Sequence, residues 1–174
     1  MKSKVEILIF LSLFNILICK AQKKVEIMQP KVEFDIKLAT DMLNDGNANI
    51  KGVAYYEGRS PIGIKSSETI YARMGEKVFL YPLTPYIEEY LQLKKKNKEG
   101  KRIATISPLA NCYRIESKVY TTNGEFIFTG LKPGKYYLEV MVLFPSGTGG
   151  REASGIVEIE AENETVEYKL KYIF

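Results

Sequence analysis

The chain has 174 residues, no histidine, no tryptophan, two cysteines and twelve tyrosines, and its 25 Lys and Arg outweigh 21 Asp and Glu to give a net charge of +4. Without imidazole it lacks the ordinary general base and the ordinary zinc ligand. A basic excess this small and spread along the chain does not suit a nucleic-acid binder, which needs strong, clustered positive charge.

Lys2 and Lys4 precede an apolar run over residues 7–18, broken only by Ser12 and Asn15, and Cys19-Lys20-Ala21 follows. A basic start, a short apolar stretch and a small residue before Gln22 predict a secretory signal peptide over residues 1–21, cleaved after Ala21. The run is shorter than the roughly 20 apolar residues of a membrane span. A competing reading makes Cys19 a lipid-anchored first residue, but Ile18 stands where a bacterial lipoprotein signal carries Gly, Ala or Ser. Lys2, Lys4, Lys20 and Glu6 leave with the segment, so the mature chain is closer to neutral still. No later stretch is apolar enough to be transmembrane, and residues 22–174 suit one domain rather than two. Cys112 is then the one mature cysteine. With no intrachain partner in an oxidising compartment, it is either buried and inert or available for an intermolecular bond, and the interior is expected, where free cysteines usually lie.

Residues 22–49 read as an N-terminal extension with one short helix over 35–43: Ile36, Ala39 and Leu43 share a side, and Gly46 stands beyond as a stop. Residues 50–174 form the domain proper. A β segment over 50–56 is followed by a loop with Gly58, Pro61 and Gly63, and a second covers 69–81 with Gly75 marking a turn or bulge. Thr84-Pro85 opens a second helix through residue 95, Thr84 capping and Pro85 in the first position. Its first turn carries Glu88 and Glu89 and its end Lys94, Lys95, Lys96 and Lys98. That polarity matches the helix dipole and reads as a solvated end, not a binding patch.

Strands are then expected over 113–120, 125–129, 136–144, 155–161 and 165–173, with a glycine-rich hairpin loop at 146–150. The most explicit stretch is 121–142. Phe126 and Phe128 alternate with Glu125, Ile127 and Thr129; after the Leu131-Lys132-Pro133-Gly134 corner, Tyr136, Leu138, Val140 and Val142 alternate with Tyr137, Glu139 and Met141. Seven short alternating strands predict an all-β, antiparallel, Ig-like β-sandwich with one or two short peripheral helices. Tyr136 is expected as its structural corner, its hydroxyl on the backbone of the 130–134 turn.

On these residues the chain resembles the carboxypeptidase regulatory-like (transthyretin-like) domains, widespread in bacterial envelope proteins. The core of the likeness is Gly124-Glu-Phe-Ile-Phe-Thr-Gly-Leu-Lys-Pro-Gly-Lys-Tyr-Tyr-Leu138, with looser matches at residues 50–52 and 78–82. The resemblance implies a transthyretin-like fold but little about activity. Three chemistries of related sandwiches are missing their residues. Transthyretin-like hydroxyisourate hydrolases need histidines and a Tyr-Arg-Gly-Ser end, whereas this chain closes Tyr172-Ile173-Phe174; intradiol dioxygenases bind iron with two Tyr and two His. A Lys–Asn isopeptide needs a buried acid where Val140 stands, and Glu139 points the other way by strand parity.

The sequence therefore offers no catalytic residue, no metal ligand set and no cofactor site. It leads to a non-catalytic interaction or structural module, exported to the periplasm or associated with the outer membrane through an envelope protein partner. The alternative is a glycan-binding module. Tyr55 and Tyr56, and Tyr136 and Tyr137, are adjacent in expected strands, so one of each pair faces away from the core. Such a ring either shields an edge or a helix or offers a stacking surface.

Overall fold

Alternation in the chain builds two sheets whose inner faces carry the apolar residues. The structure, a computed structural model, describes residues 24–59 and 65–172. The expected signal segment with Cys19, Pro61 and Gly63 of the first loop, and Ile173 and Phe174 lie outside the described residues. In chain order the elements are β1 (Glu26–Met28), α1 (Ile36–Leu43), β2 (Ala48–Arg59), β3 (Lys65–Tyr71), β4 (Lys77–Pro82), α2 (Pro85–Lys94), β5 (Arg102–Ala104), α3 (Pro108–Cys112), β6 (Ile115–Lys118), β7 (Glu125–Leu131), β8 (Gly134–Leu143), β9 (Gly150–Ile159) and β10 (Thr165–Lys171). The protein is predominantly β-sheet with short helices, as the alternation predicts.

The first sheet is organised by the long strand β2, with β10 along one edge and β7 and β3 sharing the other. The amide of Ala54 donates to Gly124 O and its carbonyl accepts from Ala72 N, both at 2.9 Å. A residue's N–H and C=O point the same way in a strand, so Ala54 is where β7 hands over to β3. The second sheet runs β6-β4-β8-β9, antiparallel throughout. Between the sheets lie Ile50, Val78, Leu80, Phe126, Phe128, Tyr136, Leu138, Val140, Val157 and Leu170, all essentially without solvent exposure, in one contiguous core. Gly52 is bare because the Phe126 ring lies where a side chain would stand.

Three expectations about the sheets are corrected. Ten strands, not seven, occur among the described residues, and the arrangement is not wholly antiparallel. β10 runs parallel to β2, and β1 parallel to β5. Asn49 N donates to Glu164 O at 2.8 Å, so β10 enters at the end of the sandwich where β2 also begins and runs alongside it in the same direction. The segment 69–81 is two strands in different sheets. Ala72 closes the last rung on β2; Gly75, at φ +90, turns the chain; and Glu76 O accepts from Val119 N on the other sheet.

α1 begins as expected, with Asp35 Oδ1 accepting from Leu38 N at 2.9 Å, but it stops at Asn44. Gly46 serves a different purpose, lying against the Leu131 backbone with its N–H on Gly130 O. Met42 and Leu43 pack on the main core. Tyr136 is fully buried, its hydroxyl proton placed between Lys132 O (2.9 Å) and Met42 O (3.0 Å), so one side chain ties the turn to α1.

Candidate functional site

The outer face of the second sheet is covered, and the cover creates the site. Thr84 is buried and its hydroxyl accepts from Ile87 N, which starts α2 immediately after β4 turns away. Tyr86, Ile87 and Leu91 descend onto Phe79, Tyr81 and Tyr137, with Phe34, Ile106 and Ala110 closing the sides of this second apolar cluster. Tyr86 accepts at its hydroxyl from Ser107 N (2.8 Å), while Glu89 accepts from Lys31 N and Val32 N (2.9 and 2.8 Å), fastening α3 and the N-terminal segment to α2.

At the C-terminal end of α2, Lys94 turns inward. Its ammonium donates to Tyr137 Oη (2.9 Å), Glu139 Oε2 (3.0 Å) and Glu152 Oε1 (2.5 Å), and lies 5.4 Å from the centroids of both the Tyr90 and Tyr137 rings. The other oxygen of Glu139 accepts from Tyr81 Oη at 3.3 Å, and Arg114 donates to Tyr81 Oη (3.1 Å) and Asn111 Oδ1 (2.7 Å) while stacking 4.0 Å over Phe79. One network thus joins α2, α3, β4, β8 and β9.

The electrostatics fix its chemistry. Burial alone would lower the Lys94 pKa, but Glu139, the Tyr137 hydroxyl and Glu152 outweigh it and push the pKa well above the lysine range. Burial, then Glu139, raises the Tyr137 phenol far above its ordinary value. Lys94 is therefore held as an ammonium and Tyr137 as a neutral phenol at neutral pH, so neither is a nucleophile or general base there. Among the described residues no three His, Cys, Asp or Glu side chains converge as a metal site.

Beside this floor runs an open groove of about 950 Å³. Glu88, Leu91, Gln92 and Lys95, spaced i, i+3, i+4, i+7, form the α2 wall, and Glu152, Ser154, Ile156 and Tyr172 form the opposite side. Carboxylate, amide, hydroxyl and ammonium groups surround an apolar strip of Leu91, Ile156 and the Tyr172 ring. Glu152 belongs to both floor and groove, with its side chain one-third exposed.

The residues singled out from the sequence are distributed unevenly over this arrangement. Tyr137, the outward member of its pair, is at the centre of the network, and Tyr136 is on the opposite side of β8 in the main core. Val140 is buried, and Glu139 faces α2 as strand parity requires. Cys112, expected inside, is exposed: the Ser107-Pro108 start makes a five-residue helix in which Ala110 takes the buried position. Lys94 is the other correction, because it leaves the solvated lysine run to neutralise two carboxylates. Glu139, set between Tyr137 and Met141 on the outward face of β8, was the legible hint of a cationic partner.

The architecture is a two-sheet β-sandwich with one outer face roofed by a helix. No family model matches the chain, and no curated protein matches it. Among solved structures, a Pseudomonas aeruginosa protein provisionally described as carbohydrate-binding is 20% identical, with a TM-score of 0.61 over 83% of this chain and 100% of that one. That likeness shows the fold. The full-length major pilin of Corynebacterium diphtheriae (16% identity, TM-score 0.36, 80% of this chain and 33% of the pilin) and the group B streptococcus pilus 2b backbone protein (16%, 0.29, 73% and 40%) align too loosely to add to it.

Proposed function

We propose that the chain is an exported, non-catalytic binding module of the bacterial cell envelope, a carboxypeptidase regulatory-like sandwich whose α2–β9 groove takes a glycan. The groove's composition carries this reading. Glu88, Gln92, Glu152 and Ser154 offer the planar and hydroxyl partners that sugar hydroxyls need, and the Tyr172 ring with Leu91 and Ile156 offers an apolar platform for the sugar's C–H face. The ion-paired floor keeps Glu152 oriented before a ligand arrives. The fold relative from Pseudomonas aeruginosa carries the same class of ligand in its description. Non-catalysis is supported by the absence of histidine and by a lysine that stays charged.

Export is supported by residues 1–21, and intact mass of the protein recovered from its native compartment tests it: cleavage after Ala21 is expected, and a lipidated Cys19 gives a different, heavier product. Calorimetric titration of the mature chain with neutral and acidic oligosaccharides tests the groove. Tyr172→Ala and Gln92→Ala are each expected to lower affinity at least about tenfold, as loss of one or two well-placed contacts does; Gln92→Ala leaves the melting temperature unchanged, whereas Tyr172→Ala also loses a ring contact with Tyr56 and lowers it slightly. A folded chain that binds no glycan, or binds equally well in both variants, removes this reading. A second reading, docking on an envelope protein partner, is favoured by Ile27 and Ile103, which stand in register on the β1–β5 ribbon and are 65% and 47% exposed.

A further inference from the structure

The outer face of the first sheet has no extensive helix packing among the described residues, in contrast to the roofed second sheet. Its side chains stand in rows fixed by strand register. Glu167, Lys51 and Ile127 form one row across β10, β2 and β7; Lys169, Val53 and Glu125 form the next; Lys171, Tyr55 and Tyr71 form the third, across β10, β2 and β3. Along β2 runs a partly exposed apolar stripe of Val53 and Tyr55, and beside Tyr55 on β3 stands Tyr71, 41% exposed. Tyr120, 52% exposed, stands at a shallow cleft of about 450 Å³ lined also by Lys51, Glu125, Glu167 and Lys169.

We propose that this face is the interface of a two-fold symmetric dimer of the chain. Charge complementarity selects the partner. A two-fold axis in the plane of contact along β2 lays each row on its own copy in reverse order. Lys169 then meets Glu125 of the second copy, twice by symmetry, Lys171 meets the Tyr71 ring of the second copy in cation–π geometry, and Val53 packs on Val53. Lys51 meets its own copy, flanked in the same row by Glu167. An axis across the strands would instead set Lys169 on Lys169 and Glu125 on Glu125. Three strands about 4.8 Å apart and three rows about 6.8 Å apart span roughly 300 Å² per copy. That is below the roughly 800 Å² per partner of stable complexes, so the dimer is weak and concentration-dependent.

Sedimentation equilibrium of the mature chain from low to high micromolar concentration tests this. The wild type is expected to pass from monomer to dimer. Lys169→Glu and Glu125→Lys each place like charges across the axis twice and are expected to stay monomeric, while an equimolar mixture of the two variants restores opposite charges at every contact and dimerises. Association of the mixture requires both variants to be folded, so it also serves as the folding control. A wild type that stays monomeric throughout, variants that associate as the wild type does, or separately folded variants whose mixture remains monomeric overturn the proposal.

Discussion

Glu76 sits where the chain crosses from one sheet to the other, and both its carboxylate oxygens are buried without a hydrogen-bond partner of good geometry. Burial pushes its pKa up, and the nearby Arg73 and Leu143 amides and the Arg73 charge offset only part of that. A carboxyl whose folded pKa lies above its unfolded value binds its proton more tightly in the native state, so native stability falls as pH rises from the unfolded pKa through the folded one. Glu76→Gln removes the charge at constant shape. With the charge gone but two polar atoms still in place, the variant is expected to be more stable than the wild type at pH 7 by less than about 1 kcal/mol, the scale of one unsatisfied buried polar group, and to lose that part of the acid-side pH dependence. Urea unfolding at pH 4 and pH 7 measures both; a variant less stable than the wild type at pH 7 would falsify the assignment.

At the scale of elements, what was legible followed from local periodicity and caps. β7, β8 and β10 alternate cleanly and lie where the alternation places them, and Asp35, Thr84 and Pro85 announce the starts of α1 and α2. β1 and β5, each three residues long, carry too few positions for a period and exist because they pair with each other. The sheet change within 69–81 and the parallel run of β10 depend on contacts between segments far apart in sequence. The α2 network was hidden for the same reason, since Lys94 reads as one of a lysine run until β8 and β9 bring Glu139 and Glu152 beneath it. Lys94→Met would leave two part-buried carboxylates facing each other. Breaking a fully buried pair costs about 3–5 kcal/mol. With 21% of the Lys94 side chain exposed, we expect roughly 2–3 kcal/mol once solvent screening is allowed for, and most of it recovered in Lys94→Met/Glu139→Gln/Glu152→Gln. An unchanged denaturation midpoint in the single variant would show that the network stabilises nothing. The raised Lys94 pKa makes its contribution full below the unfolded lysine value and lost only as pH climbs through the folded one, so the comparison holds throughout the neutral range.

For the whole molecule, the decisive feature is that β4 and β8 each serve two cores. Val78 and Leu80 of β4 and Tyr136, Leu138 and Val140 of β8 face the interior of the sandwich, while Phe79, Tyr81 and Tyr137 on the same strands face α2. Lifting the helical layer would expose Tyr81, Tyr86, Ile87 and Tyr137, all at most 5% accessible. At about 1.5–3 kcal/mol per large side chain this amounts to roughly 6–12 kcal/mol. That is comparable with the total stability of an ordinary domain, about 5–15 kcal/mol, so a state with the roof detached and the sandwich intact gains little over complete unfolding. A single cooperative transition is therefore expected. Tyrosines report it from both cores, because the chain has no tryptophan and Tyr136 and Tyr137, adjacent in sequence, point into different ones. Near-ultraviolet dichroism, which follows tyrosine packing, and far-ultraviolet dichroism, which follows the sheets, should trace the same urea curve. A near-ultraviolet transition that precedes the loss of sheet would mean that α2 and its network open as a separate unit, and the groove would then be a site that assembles on binding.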